Sequence, residues 1–256
     1  MNFHLVRLSV LLCWMPLLLV GCGIKGPVQP LAQSRPSAAT ELTLQQQGEG
    51  LLLRWRLPQS NQDGSPLTDL AGFRIYRTAF DLEQDCPDCR QDWPLWRRVE
   101  LDYLQSAQLR RGELYLLDRD LDTRQSYSYR VIPFNRWGQD GPAVEARQDL
   151  LPPPPAPFGL QARRGEDRLT LSWEEPKLGD GVERLGYRIY RRRPGQVFPT
   201  APLNPTLLTQ PFFEDRDFDK SARSYVYGVR LLVRQQDRVL ESDLSTPLVV
   251  TAPTGF

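Results

Sequence analysis

Apolar and polar residues alternate along Gly72-Phe73-Arg74-Ile75-Tyr76-Arg77, with Phe73, Ile75 and Arg77 on one face and Arg74 and Tyr76 on the other. A period of two is the pattern of a strand with one buried face. The pattern returns as Gly186-Tyr187-Arg188-Ile189-Tyr190-Arg191, so the chain lays out as two copies of one unit. In the first copy, residues 41–46 lead to a turn at Gly48-Glu49-Gly50, then to an apolar run at 51–58 that contains Trp55 and ends in Pro58. Turn-forming residues at 60–66 break the chain before the Gly72 strand. In the second copy, residues 158–162 precede a turn at Gly165-Glu166-Asp167, a strand at 169–176 containing Trp173 and ending in Pro176, and the Gly186 strand. Further alternation follows at Tyr127, Tyr129, Val131 and Pro133, and again at Tyr225, Tyr227, Val229, Leu231 and Val233. Helical periodicity is scarce and there are 23 prolines, so helix content is expected below ~10%.

A strand-B Trp followed by Pro, then a Gly-aromatic-Arg-Ile-Tyr strand, resembles the fibronectin type III fold. Leu121 six residues before Tyr127, and Phe218 before Tyr225, resemble that family's tyrosine corner, in which a phenol bonds back to the chain just upstream. The resemblance implies an all-β chain of two immunoglobulin-like sandwiches, at 38–150 and 151–256, with Trp55, Tyr127, Trp173 and Tyr225 in structural roles. It says little of function, because this sandwich hosts many. The copies are offset by 118 residues at Trp55 and Trp173, by 114 at Gly72 and Gly186, and by 97 at Asp118-Arg119-Asp120 and Asp215-Arg216-Asp217. The first copy therefore carries about four extra residues before the Gly72 strand and about seventeen after it. Between the copies, four consecutive prolines in 151–157 favour an extended polyproline II segment. That segment is expected to hold the sandwiches end to end, with hinge motion and little surface buried between them.

The N-terminus reads differently. Only Arg7 is basic within 1–7, and residues 8–20 are apolar apart from Ser9. About 13 residues are too few to cross a bilayer as a helix but suit the core of a signal peptide. The run ends in Leu19-Val20-Gly21-Cys22, which resembles the lipobox of bacterial lipoproteins. That implies cleavage after residue 21, lipid on Cys22 and, with Gly23 next, sorting to the outer membrane of a Gram-negative cell. Two or three acyl chains would make a lasting anchor. Cys22-Gly23-Ile24-Lys25-Gly26-Pro27 also resembles the start of a small outer-membrane lipoprotein that assists assembly of the lipopolysaccharide translocon. Residues 22–37, rich in Pro, Gly, Ser and Gln, read as a flexible tether.

Of 256 residues, 40% are apolar and 25% charged, enough for packed cores under a soluble surface. The net charge is +1, and losing Arg7 with the signal leaves 31 bases against 31 acids. Such a chain has no overall field to attract nucleic acid. With Cys13 removed and Cys22 lipidated, Cys86 and Cys89 remain as a pair inside the large insertion. They read as a structural disulfide; a redox dithiol and half of a zinc site are the alternatives. Acidic surroundings oppose thiol activation, and the one histidine, His4, leaves with the signal. The paired Asp-Arg-Asp motifs read as turns, with calcium binding as the alternative. No Gly-x-Ser-x-Gly occurs and no catalytic base accompanies a nucleophile, so neither an enzyme nor a cofactor is expected.

The candidate binding residues are Trp93, Trp96, Arg97 and Arg98 in the insertion, and Trp137 beside Gly138. Trp with Arg suits protein hot spots and sugar stacking, while alternation through 96–101 also reads as a strand with Trp96 and Val99 on opposite faces. The expected function is a non-catalytic binding or scaffolding module, anchored in the membrane and contacting an envelope protein or glycan through these residues and open strand edges. The alternatives are an accessory in lipopolysaccharide-translocon assembly and a thiol–disulfide protein using Cys86 and Cys89. Cys22→Ser is expected to move the protein from the membrane pellet to the soluble fraction of lysed cells.

Overall fold

The computed structural model describes residues 34–81, 92–165, 167–218 and 224–251. Fifteen strands, β1 to β15, and no helix occur among them. The first sandwich comprises β1 (Thr40–Gln47), β2 (Gly50–Arg56), β3 (Leu70–Asp81), β4 (Leu95–Glu100), β5 (Gln108–Arg110), β6 (Glu113–Asp118), β7 (Gln125–Asn135) and β8 (Val144–Asp149). One sheet has the order β1-β2-β6-β5 and the other β4-β3-β7-β8. Inward residues of both, among them Leu51, Leu53, Trp55, Phe73, Ile75, Leu114, Leu116, Tyr129 and Val131, form one buried cluster.

The second sandwich repeats the plan with β9 (Phe158–Arg164), β10 (Leu169–Glu174), β11 (Val182–Arg192), β12 (Phe212–Asp215), β13 (Ser224–Gln235), β14 (Arg238–Glu241) and β15 (Leu248–Thr251). Its sheets are β12-β10-β9 and β11-β13, with β14 and β15 pairing successive halves of β13. The last strand is split because residues 242–247 bulge away. Ser242 and Ser245 hold the gap closed by accepting the Leu231 and Val229 amides on their hydroxyls, at 2.9 and 3.0 Å. The cores match position for position. Trp55 meets Phe73 edge-on at 5.5 Å, and Trp173 meets Tyr187 edge-on at 5.2 Å.

The glycine opening each repeated strand has a steric cause. A Cβ on Gly72 would lie 2.1 Å from the Val99 carbonyl oxygen, and one on Gly186 would lie 2.6 Å from that of Leu208. The chain beside each strand packs too closely for any side chain, and β3 and β11 each shift register there. Beside β11 that neighbour is an irregular segment, not a strand. The Asn204 side chain, 5% exposed, accepts the Ile189 amide at 2.8 Å and donates to the Tyr187 carbonyl at 2.9 Å. A side-chain amide thus completes the edge that β4 covers in the first sandwich, leaving no open strand there.

The expectation of two end-to-end sandwiches with little buried between them is not met. β1 pairs in parallel with β14 at Gln47 and Glu241, so a sheet of the first sandwich continues into one of the second. Glu241 is 1% exposed. Its carboxylate accepts from the Tyr190 hydroxyl at 2.7 Å, from Arg188 at 3.2 Å and from Gln45 at 3.5 Å, and its carbonyl accepts the Gly48 amide at 2.8 Å. Gln46 clamps the linker by donating to the Leu151 carbonyl and accepting its amide. Arg238 binds Asp149 at 2.7 Å and holds that carboxyl below its usual range. Strand β13 records the joint, since residues 226–233 are buried without alternation. The inward set, Tyr227, Val229, Leu231 and Val233, packs in the core. The outward Arg230 and Leu232 lie across from Arg188 and Glu241, on the side facing the joint.

Removing the Glu241 carboxylate would leave the Tyr190 hydroxyl and Arg188 without their buried acceptor. Glu241→Ala is expected to lower unfolding free energy by about 2–3 kcal/mol, measured in urea.

Candidate functional site

The repeated Asp-Arg-Asp motifs close the end of each sandwich from within. Asp118, 1% exposed, ends β6 and accepts from Arg77 at 2.8 Å and from the Tyr129 hydroxyl at 2.8 Å. Arg77 also reaches the Asp120 carbonyl, and the Asp120 amide returns to the Asp118 carboxylate. The second sandwich copies every contact. Asp215 accepts from Arg191 at 2.5 Å and from Tyr227 at 2.7 Å, Arg191 reaches the Asp217 carbonyl, and the Asp217 amide returns to Asp215. Burial opposes the charge of Arg77, but its contact with Asp118 outweighs this and keeps the guanidinium above its ordinary value; Arg191 behaves alike beside Asp215. Burial, aided by the same carboxylates, pushes the Tyr129 and Tyr227 phenols up. The last Arg of each repeated strand is therefore the counter-ion of the aspartate ending β6 or β12. The first carboxylate of each motif, which a calcium ion would need, is taken by protein donors.

Tyr127 forms the expected corner, its hydroxyl accepting the Asp122 amide at 2.7 Å. Tyr225 lies between the Tyr227 ring and the Arg191 guanidinium, and residues 219–223 just upstream of it are outside the described residues. Both halves of the chain are fibronectin type III-like sandwiches. No protein-family model matches the chain. A solved structure of the FN1–FN3 domains of chicken CNTN1 is similar at 14% identity, covering 86% of this chain and 68% of that one, with a TM-score of 0.34.

Cys22, Cys86 and Cys89 lie outside the described residues. The remaining candidates separate into three environments. Trp96 and Arg97 turn toward the first core. A register shift between β3 and β4 opposite Ile75 and Tyr76 places a bulge at Trp96, so Trp96 and Val99 pack on the same core instead of on opposite faces. Trp96 meets Tyr129 edge-on at 5.9 Å, with Arg77 and Arg97 over its ring. Arg97 donates to the Ser106 hydroxyl at 3.2 Å.

Trp93 and Arg98 take part in an arginine–aromatic ladder on the outer face of β4-β3-β7-β8. Arg130 lies over Trp93 at 4.2 Å, and Arg98 and Arg74 lie over Phe134 at 4.4 and 4.6 Å. Each of these arginines also has an acid, Glu145 for Arg130, Glu100 for Arg98 and Asp140 for Arg74. The face is polar but internally neutralised.

Trp137 stands apart. It occupies the β7–β8 turn with 73% of its surface exposed. The turn is held by Asn135, 1% exposed, whose side-chain oxygen accepts the Trp137 and Gln139 amides at 3.1 and 2.9 Å while its carbonyl accepts the Gly138 amide at 2.9 Å. The neighbouring Arg136 amide is tied to the Asp69 carbonyl. A large aromatic is thus displayed on a backbone fixed from beneath. Residues 35–37 are strapped to the same end, Ser37 donating to Ser60 and Gln62 to Arg35. Among the described residues no group of three or more His, Cys, Asp and Glu could hold a metal ion.

If the buried aspartates serve structure, only the first of each motif should matter to folding. Asp118→Ala is expected to cost about 3 kcal/mol, and Asp120→Ala, whose backbone alone is used, less than about 0.5 kcal/mol. Chemical denaturation of the two variants compares them.

Proposed function

We propose that the chain is a lipid-anchored, non-catalytic recognition module of the outer membrane, which holds another envelope component, protein or glycan, through the tip of its first sandwich. Trp137 carries this reading. Packing accounts for Trp55, Trp173 and Trp96, and Trp93 is covered by Arg130. Trp137 instead faces solvent from a turn whose backbone bonds are satisfied. An exposed indole on a fixed backbone loses little main-chain freedom on binding and suits both protein hot spots and the faces of sugar rings. The anchor rests on the lipobox-like Leu19-Val20-Gly21-Cys22 and the tether behind it. Because the chain leaves the sandwich at the end where Trp137 lies, the partner would be engaged beside the root of the tether.

A photo-crosslinker placed at position 136 in intact cells is expected to give a discrete adduct, with protein or with envelope glycan. Trp137→Ala should remove that adduct without changing the melting temperature. An unchanged adduct pattern in the variant would overturn the assignment.

A further inference from the structure

The side-by-side joint leaves a cleft of about 670 Å³ between the two sandwiches, within the size range of small-ligand sites. Arg230 forms part of its floor and is 8% exposed. Its Nη1 donates to the Ser242 carbonyl at 2.6 Å and its guanidinium lies 5.8 Å from the Tyr190 ring centre. Among the described residues no carboxylate lies within ion-pair distance of it. The nearby Glu241 carboxylate is occupied by Arg188 and Tyr190. Burial holds the Arg230 guanidinium below its ordinary range despite Glu241, Tyr190 and Asp243, and Arg119 pushes in the same direction as burial. Arg119 reaches this space from the first sandwich. It is exposed, with neither an ion pair nor a hydrogen bond among the described residues.

Two cations from different sandwiches therefore line one space, neither of them in an ion pair among the described residues, with Asp243 of the same cleft acting on Arg230 only from beyond ion-pair distance. Arg77, Arg188 and Arg191 each have a buried carboxylate at hand. Leu117, Phe198, Leu244 and Pro247 give the cleft apolar surface beside polar groups that include Gln47 and Gln108. Val197, 74% exposed, extends the apolar surface. Glu49 and Asp243 also line the cleft, both exposed, with the Glu49 amide on the Asp243 carboxylate at 3.4 Å. These two acids repel a dianion such as phosphate about twice as strongly as a single carboxylate, so the cleft favours the latter. We propose that this cleft binds the carboxylate of a ligand with an apolar body, such as the C-terminal residue of a peptide. The carboxylate bridges Arg119 and Arg230 while the body lies against Phe198 and Leu244. The site depends on neither the lipid anchor nor the Trp137 contact.

The test titrates the isotope-labelled full chain with N-acetyl-leucine, with its neutral amide and with inorganic phosphate, following the arginine Nε–H and Leu244 amide signals by NMR. The acid is expected to give saturating shifts, with the amide and phosphate at least about tenfold weaker. Arg119→Glu, at a position without partners to lose, should weaken the acid by about tenfold or more at an unchanged melting temperature. Absence of saturation with the acid, equal binding of the amide or of phosphate, or unweakened binding by Arg119→Glu would each overturn the assignment.

Discussion

A carboxylate with almost no access to water, that of Glu241, sits where the two sandwiches meet, and everything larger than one sandwich follows from its position. Desolvating a charge costs several kcal/mol unless donors replace the lost water. Here a phenol, a guanidinium and a side-chain amide do so, the first two from β11 and the third from β1. The donor set is complete only when β1 lies beside β14, so the solvation of one side chain enforces the register between two domains. The Gly48 amide on the Glu241 carbonyl adds a backbone bond in that register. Gly48 has a φ of 65°, where a side chain is strained, and a Cβ there would also push the Asp243 carboxylate aside. Together with the Gln46 clamp on Leu151, these contacts replace the hinge that a short proline linker alone would allow.

The two sandwiches were readable because their cores obey the period of two. Trp55, Phe73 and Ile75 correspond to Trp173, Tyr187 and Ile189, and the repeated strands place them correctly. The Asp-Arg-Asp repeat was visible too, but its chemistry was not. A buried Asp is recognisable only once a partner is seen to approach, and Arg77 and Arg191 come from strands far off in sequence. Trp96 and Val99 read as lying on opposite faces, yet both pack on the first core, because a one-residue bulge inverts alternation and composition carries no mark of where a bulge falls. The joint was the largest omission, for a related reason. Gln45, Gln46 and Gln47 look like solvent-facing residues of an edge strand, and a polar interface leaves no apolar stripe. One signal did exist. Leu232 is a large aliphatic residue at an outward position of β13, and the neighbouring Arg230 is buried as well.

Stiffness bears on recognition. Two sandwiches on a free linker would show a partner many arrangements of their surfaces, and binding would have to select one of them. A joined sheet removes that cost. It also creates a surface that neither sandwich owns, since the cleft takes Arg119 and Leu117 from one and Arg230 and Phe198 from the other. The tip that carries Trp137 is rigid by a separate device, the buried Asn135 under the turn. The molecule thus has two ordered regions of different chemistry, an aromatic tip and a cleft lined by charges of both signs, held in fixed relation through the first sandwich.

The near-neutral charge of the chain sharpens the contrast between its arginines. Those on the outer face of β4-β3-β7-β8 rest on aromatic rings and hold acids of their own, so their field is spent locally and falls off within a Debye length. Those that close the sandwich ends are neutralised by Asp118 and Asp215. A protein with 32 bases and 31 acids can satisfy nearly all its cations pairwise, and in these places it does. Arg230 departs from that pattern in a nearly buried position: it has no ion pair among the described residues, its contact is the Ser242 carbonyl, and Asp243 and Glu241 offset its burial only from a distance.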